Sequence, residues 1–118
     1  MLTEIKTKSL HYFVDEHNLR QGEFKTYHNN GQLYEHTFYL NGKRHGEYKE
    51  YHENGQLSVH TFYQNVKQHG EFKSYYENGK IKYATFCYQN RNLHVNPDSL
   101  TEKDKVYIMM SGRLPSRV

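Results

Sequence analysis

Residues 46–69 read GEYKEYHENGQLSVHTFYQNVKQH, and nearly the same twenty-four residues stand on either side. Residues 22–45 read GEFKTYHNNGQLYEHTFYLNGKRH, and residues 70–93 read GEFKSYYENGKIKYATFCYQNRNL. The first two copies agree at 16 of 24 positions without a gap, and eight columns are identical in all three. Those columns begin at Gly22, Glu23, Lys25, Tyr27, Asn30, Gly31, Thr37 and Phe38. A fixed period of this kind marks an architecture in which each unit buries its neighbour.

Each copy predicts a β-hairpin. Asn followed by Gly is a strong turn signal, and it falls at Asn30 and Gly31, Asn54 and Gly55, and Asn78 and Gly79. The flanking runs are rich in Tyr, Phe and Thr, which favour strands. A second such pair, Asn41 and Gly42, leads into the next copy. Its equivalents are Asn65 with Val66 and Gln89 with Asn90. A β-branched valine resists positive φ, so a different turn or a looser loop is expected there.

The register follows from the loop. A two-residue turn would set Tyr27 opposite Tyr34. A three-residue loop, with Gly31 left-handed, would set Tyr27 opposite Leu33. The second choice sorts the side chains better. It places Tyr27, Leu33 and Thr37 on one face with Lys25 against Glu35, and Phe24, Tyr34, His36 and Phe38 on the other. A buried face specifies register, which favours the bulged loop.

The flanks break the repeat. Residues 5–21 read as a leading cap with a strand over 5–14, and residues 94–118 as a C-terminal cap or tail. Within the latter, Ser99 and Glu102 have capping-box spacing. Val106, Tyr107 and Met110 would share one face of a short helix that ends at Gly112. A strand over 106–110 is the alternative. The whole reads as a single all-β domain: an elongated single-sheet antiparallel meander of hairpins. Its last hairpin is covered by a short helix through Val106, Tyr107, Ile108 and Met110; otherwise the tail is an arm for docking on a partner.

Composition agrees. Only 35% of the 118 residues are hydrophobic, too few for a thick two-layer core. Yet there are 12 Tyr and 6 Phe, too many for a disordered polymer. The net charge of +3 is spread out: the repeats carry +1, −1 and +2. Nucleic-acid binders concentrate positive charge on one face, so no nucleic-acid role is expected. No apolar run reaches the roughly 20 residues a spanning helix requires, and the N-terminus lacks the apolar core of a signal peptide. Cys87 is the only cysteine and has no intrachain partner. A reducing, cytoplasmic setting is the expectation.

The stretch GEYKEYHENGQL followed by HTFYQN resembles the variant MORN repeat, whose pattern is Gly-x-aromatic-x-x-Tyr-x-x-Asn-Gly-x-Leu. Residues 22–93 carry the resemblance well and residues 8–21 weakly. The resemblance implies a hairpin per repeat and no reaction. Proteins of this kind occur in bacteria and, in many copies, in giant DNA viruses; if the chain is viral, the resemblance implies a place in the virion.

Chemistry-bearing residues are repeated rather than unique. Six of the nine histidines fall in repeat columns; column mates lie two strands, roughly 9.6 Å, apart. One ion would need nitrogens about 2.1 Å away, so no metal and no cofactor are expected. Glu23 with Lys25, and their equivalents, suggest cross-strand charge pairing worth about 0.2–1 kcal/mol. Cys87 has no base identified beside it. No catalytic residues and no enzyme activity are expected. The feature with functional promise is the aromatic ladder of Phe24, Tyr34, Phe38, Tyr48, Phe62, Phe72 and Phe86, expected on one face as a partner-binding surface or as mutual packing. The leading reading is a non-catalytic structural or protein–protein interaction module within a larger assembly such as a viral particle. The alternative is a small antitoxin-like or host-factor-neutralising protein. Acidic-lipid binding ranks third, because it needs a basic stripe. Self-association through the sheet ends is also expected.

Overall fold

The computed structural model describes residues 1–116; Arg117 and Val118, the end of the expected C-terminal cap, lie outside the described residues. The strands are β1 (Thr3–Lys6), β2 (Leu10–Val14), β3 (Arg20–Tyr27), β4 (Leu33–Leu40), β5 (Lys43–Arg44), β6 (Gly46–Tyr51), β7 (Leu57–Gln64), β8 (Lys67–Gln68), β9 (Gly70–Tyr75), β10 (Ile81–Tyr88) and β11 (Arg91–Asn92). They form one antiparallel sheet in the order β1-β2-β3-β4-β6-β7-β9-β10-β11, with β5 on β4 and β8 on β7. A 3-10 turn (Pro97–Ser99) and helix α1 (Glu102–Ser111) close the chain. The molecule measures 49 × 37 × 18 Å.

The repeated loop is the bulged one. Gly31 N–H donates to the His28 carbonyl at 2.9 Å, His28 N–H donates to that of Gln32 at 2.8 Å, and Gly31 sits at φ 88°. Tyr27 stands opposite Leu33, Tyr51 opposite Leu57 and Tyr75 opposite Ile81. A second irregularity then corrects the expected faces. Thr26 pairs with Glu35, so Tyr34 is an extra residue on β4; Ser58 and Lys82 are its equivalents. One inserted residue reverses the side on which everything beyond it points. Lys25 therefore faces His36, not Glu35, and Phe24 faces Thr37.

The turn at Asn41 and Gly42 is as expected, and its two equivalents differ from expectation. All three are tight two-residue turns with both residues at positive φ: Asn41 and Gly42 at 51° and 80°, Asn65 and Val66 at 53° and 80°, Gln89 and Asn90 at 46° and 71°. The flanking pairs, Tyr63 with Gln68 and Gln64 with Lys67, leave room for only two residues. Val66 N–H donates to the Arg44 carbonyl of the preceding turn at 2.9 Å. The ladder imposes the geometry and the valine bears the strain.

At the N-terminus the expected single strand over 5–14 is a hairpin of β1 and β2. Thr7 accepts from the Ser9 and Leu10 amides through its hydroxyl, closing the turn. At the C-terminus the helix is present, but its cap and buried face differ. The capping box is Thr101 with Asp104 rather than Ser99 with Glu102; Ser99 instead lies in the 3-10 turn, its hydroxyl donating to the Asn96 carbonyl. Ile108 is fully buried with Leu100 against Phe86, ringed by Tyr88, Leu93, Val95 and Leu114. Val106, Tyr107 and Met110 remain exposed, Met110 at 81%. Gly112, at φ 72°, ends the helix, and a Cβ there would meet the Tyr88 ring at 2.8 Å.

Val66→Gly should stabilise the protein by about 1 kcal/mol, because relief of a left-handed valine exceeds the entropy glycine adds to the unfolded chain. Denaturant unfolding checks it; an unchanged or lowered midpoint would show that the turn is not strained. Ile108→Ala should destabilise by about 2–5 kcal/mol, and a loss under about 0.5 kcal/mol would mean that α1 is not packed as described.

Candidate protein-docking face

Every strand alternates between two faces of different character. On one, the Arg20 guanidinium lies 5.1, 4.7 and 5.3 Å from the ring centres of Tyr12, Phe24 and Tyr39. Arg44, one repeat on, lies 5.2 and 5.4 Å from those of Tyr48 and Tyr63. A cation over ring faces contributes about 0.5–2 kcal/mol each time. Tyr48 donates its hydroxyl proton to Glu35 at 2.8 Å; burial, then this carboxylate, raises the phenol pKa. Thr37 and Thr61 are buried here and donate to the carbonyls of Glu47 and Glu71 across the repeat junctions. This arginine face is consumed in holding the array together.

The opposite face carries Glu23, Lys25, His36 and Phe38, then Glu47, Lys49, His60 and Phe62, then Glu71, Lys73, Ala84 and Phe86. His36 meets Glu23 at 2.9 Å and His60 meets Glu47 at 2.8 Å. The hydrogen bond from His36 holds the Glu23 carboxyl below the usual carboxylate range. Each imidazole leans on the next phenylalanine, with ring centres 5.2 and 5.1 Å apart. The third repeat has Ala84 in place of the imidazole, and there the C-terminal segment lies on the sheet. Ile108 and Leu100 cover Phe86. Lys105 reaches Glu71 at 3.2 Å and Lys73 reaches Asp98 at 3.3 Å. Met109 comes near Gly70 and, with Phe62, Phe86 and Lys105, lines a groove of about 360 Å³.

The expected single aromatic face is thus divided. Phe24, Tyr48 and Phe72 belong to the arginine face, and Phe38, Phe62 and Phe86 to the histidine face. The cause is the residue inserted at Tyr34, Ser58 and Lys82. Tyr34 itself turns to Glu50, whose carboxylate raises its pKa. Phe24 is buried and Phe86 lies beneath the helix, leaving Phe38 and Phe62 as the members of the expected ladder that are half exposed on the histidine face. The glutamates and lysines that frame them make more than the expected charge pairs in the third repeat, where Glu71 and Lys73 take up Lys105 and Asp98; the sequence mark of that difference is Ala84 breaking a histidine column.

Three further histidines have structural partners. His28 and His52 lie 2.7 and 2.9 Å from the carbonyls of Tyr51 and Tyr75 in the next repeat, so each ring donates from Nε2. His69 accepts the Gln89 N–H at 3.3 Å through Nδ1. Burial lowers its pKa. Cys87 is buried, and burial pushes its thiol up. Among the described residues, no three His, Cys, Asp or Glu side chains converge as metal ligands, and no helix is long and apolar enough to cross a membrane.

A single open sheet of β-hairpin repeats, closed at one end by a helix, is the class of protein this geometry defines. The sequence profile described as MORN repeat variant matches residues 20–43, 44–65 and 68–90, more than half of the chain. The chain belongs to that family. No curated protein and no solved structure matches it.

Acid should destabilise the fold in two windows. His69 has a depressed folded pKa, so its contribution is complete above its ordinary value of 6.5 and declines as pH falls below it. Glu23 contributes fully above its ordinary 4.5, and that contribution is lost as pH falls through the folded pKa. His69→Gln should flatten the fall in melting temperature between about pH 7 and 5.5. An unchanged slope would exclude His69 as its source.

Proposed function

We propose that the chain is a non-catalytic protein-binding module whose working surface is the histidine face of residues 22–69, and that its occupant is an amphipathic helix of a partner protein. One observation carries this. The chain's own C-terminal segment already lies on the third copy of that surface: Lys105 of α1 pairs with Glu71, Asp98 of the preceding 3-10 turn pairs with Lys73, and Ile108 of α1 packs with Leu100 against Phe86. The first two copies present the same set: Glu23 and Glu47, Lys25 and Lys49, Phe38 and Phe62. His36 and His60 stand where Ala84 stands, so a visiting helix must sit higher or carry small residues. Half-exposed aromatics framed by charges are the composition of recognition surfaces.

A place in a larger assembly, a viral particle being one case, ranks above a one-to-one neutralising complex. Two adjacent near-identical sites suit a partner that makes several contacts at once. Glu and Lys alternate on this face, which speaks against anionic lipid.

The test uses the full chain as bait with quantitative mass spectrometry of what it retains. Phe38→Ser with Phe62→Ser should reduce specific partners by about 10-fold or more, while Tyr63→Ser, on the arginine face, should keep them. Retention by all variants alike, or loss only with Tyr63→Ser, would overturn the assignment. Vesicles with anionic lipid should not retain the protein; salt-sensitive flotation would move the reading to a membrane surface.

A further inference from the structure

The two ends of the sheet are the two halves of one repeat junction. At the N-terminal end, β1 and β2 are a shortened repeat. Glu4 stands opposite Phe13 and Lys6 opposite His11, as Glu23 stands opposite Phe38 and Lys25 opposite His36. His11 meets Glu4 at 2.7 Å, the same contact that His36 and His60 make. On its inner side β2 sets His11 against Lys25, just as the junctions between repeats set His36 against Lys49 and His60 against Lys73. By this equivalence the outer side of β1 corresponds to the sides of β6 and β9 that receive the preceding repeat.

At the other end, β10 corresponds to β4 and β7. There the chain follows β10 through β11, with Leu93 N–H on the Phe86 carbonyl. It then leaves for the histidine face instead of continuing as a new strand. Among the described residues, nothing pairs with the outer side of 81–85, and Ile81 and Tyr83 are 52% and 44% exposed. Asn30 and Asn54 each give a side-chain N–H to a carbonyl of the next repeat; Asn78 has no such carbonyl among the described residues. The edge is a junction lacking its second half.

We propose that the chain associates head to tail, the β10 edge of one copy receiving β1 of a second copy. The register is that of the internal junctions: Ala84 opposite Lys6, and Tyr83 opposite Thr7. The contact is heterologous, so it builds open rows. Each junction adds a few backbone hydrogen bonds and sets Ile5 beside Thr85 on the arginine face. Lys82 and Lys8 flank it and repel, so the association should be reversible and should tighten as salt screens them.

Two single-cysteine variants, Lys6→Cys and Ala84→Cys, each also carrying Cys87→Ala, are mixed and oxidised. A disulfide-linked pair should form in the mixture and not in either variant alone. Directly opposed strand residues have the Cα spacing a disulfide requires. Within one copy the two positions lie roughly 34 Å apart, so the link can form only between copies. A dimer of Ala84→Cys alone would show two-fold edge pairing and overturn the proposal. Sedimentation velocity of the unsubstituted chain should show mass rising with concentration, more steeply in added salt. A monomer up to on the order of 1 mM, or association that salt dissolves, would overturn it equally.

Discussion

In the first two repeats, the side-chain amide of one loop asparagine joins what is local to what is long-range. In the first repeat, Asn30 accepts the Gln32 N–H at 2.9 Å and so closes its own loop. The same amide donates to the Glu53 carbonyl at 2.9 Å and so fastens the next repeat. Asn54 makes the same two bonds to Gln56 and to Glu77. The pairing of strands between repeats is brief, with two opposed residue pairs at each junction. Side-chain bonds from Asn, His and Thr therefore supplement it. A thin sheet with little buried apolar surface depends on such directional contacts more than a thick core does.

The inserted residue on the second strand of each hairpin gives the two faces separate tasks. Without it, both phenylalanine columns would lie together and the arginines would have no stack of rings to enter. With it, Phe24, Tyr39 and Arg20 close on one side, while Phe38, His36 and Glu23 stand on the other. The first set satisfies itself. The second leaves aromatic rings and charges half in water, the composition from which the proposed binding role is argued.

The C-terminal segment shows what that second face accepts. Its anchor is small: Ile108 and Leu100 on Phe86, with one ion pair on either side. Ala84 stands opposite Lys73, whose ammonium pairs with Asp98 of the 3-10 turn. Because the chain goes to this face after β11, no further described strand pairs with the outer side of β10 at 81–85.

Much of this was legible in the residues themselves. The period, the hairpins and the bulged loop with Tyr27 opposite Leu33 follow from local preferences that the repeats state three times over, and the helix ending at Gly112 follows from its own spacing and cap. The chain alone did not reveal the second bulge, because Tyr34, Ser58 and Lys82 share no side-chain signature; the extra residue is set by ladder bonds to a strand that must already be in place. Nor did it reveal the left-handed Val66, where pairing on both sides overrode an intrinsic preference, or the burial of Ile108 in place of its neighbours, which depends on where Phe86 points. Local chemistry determined that hairpins form and where they turn. Which residues share a face, and therefore what the protein can touch, was decided only when the strands met.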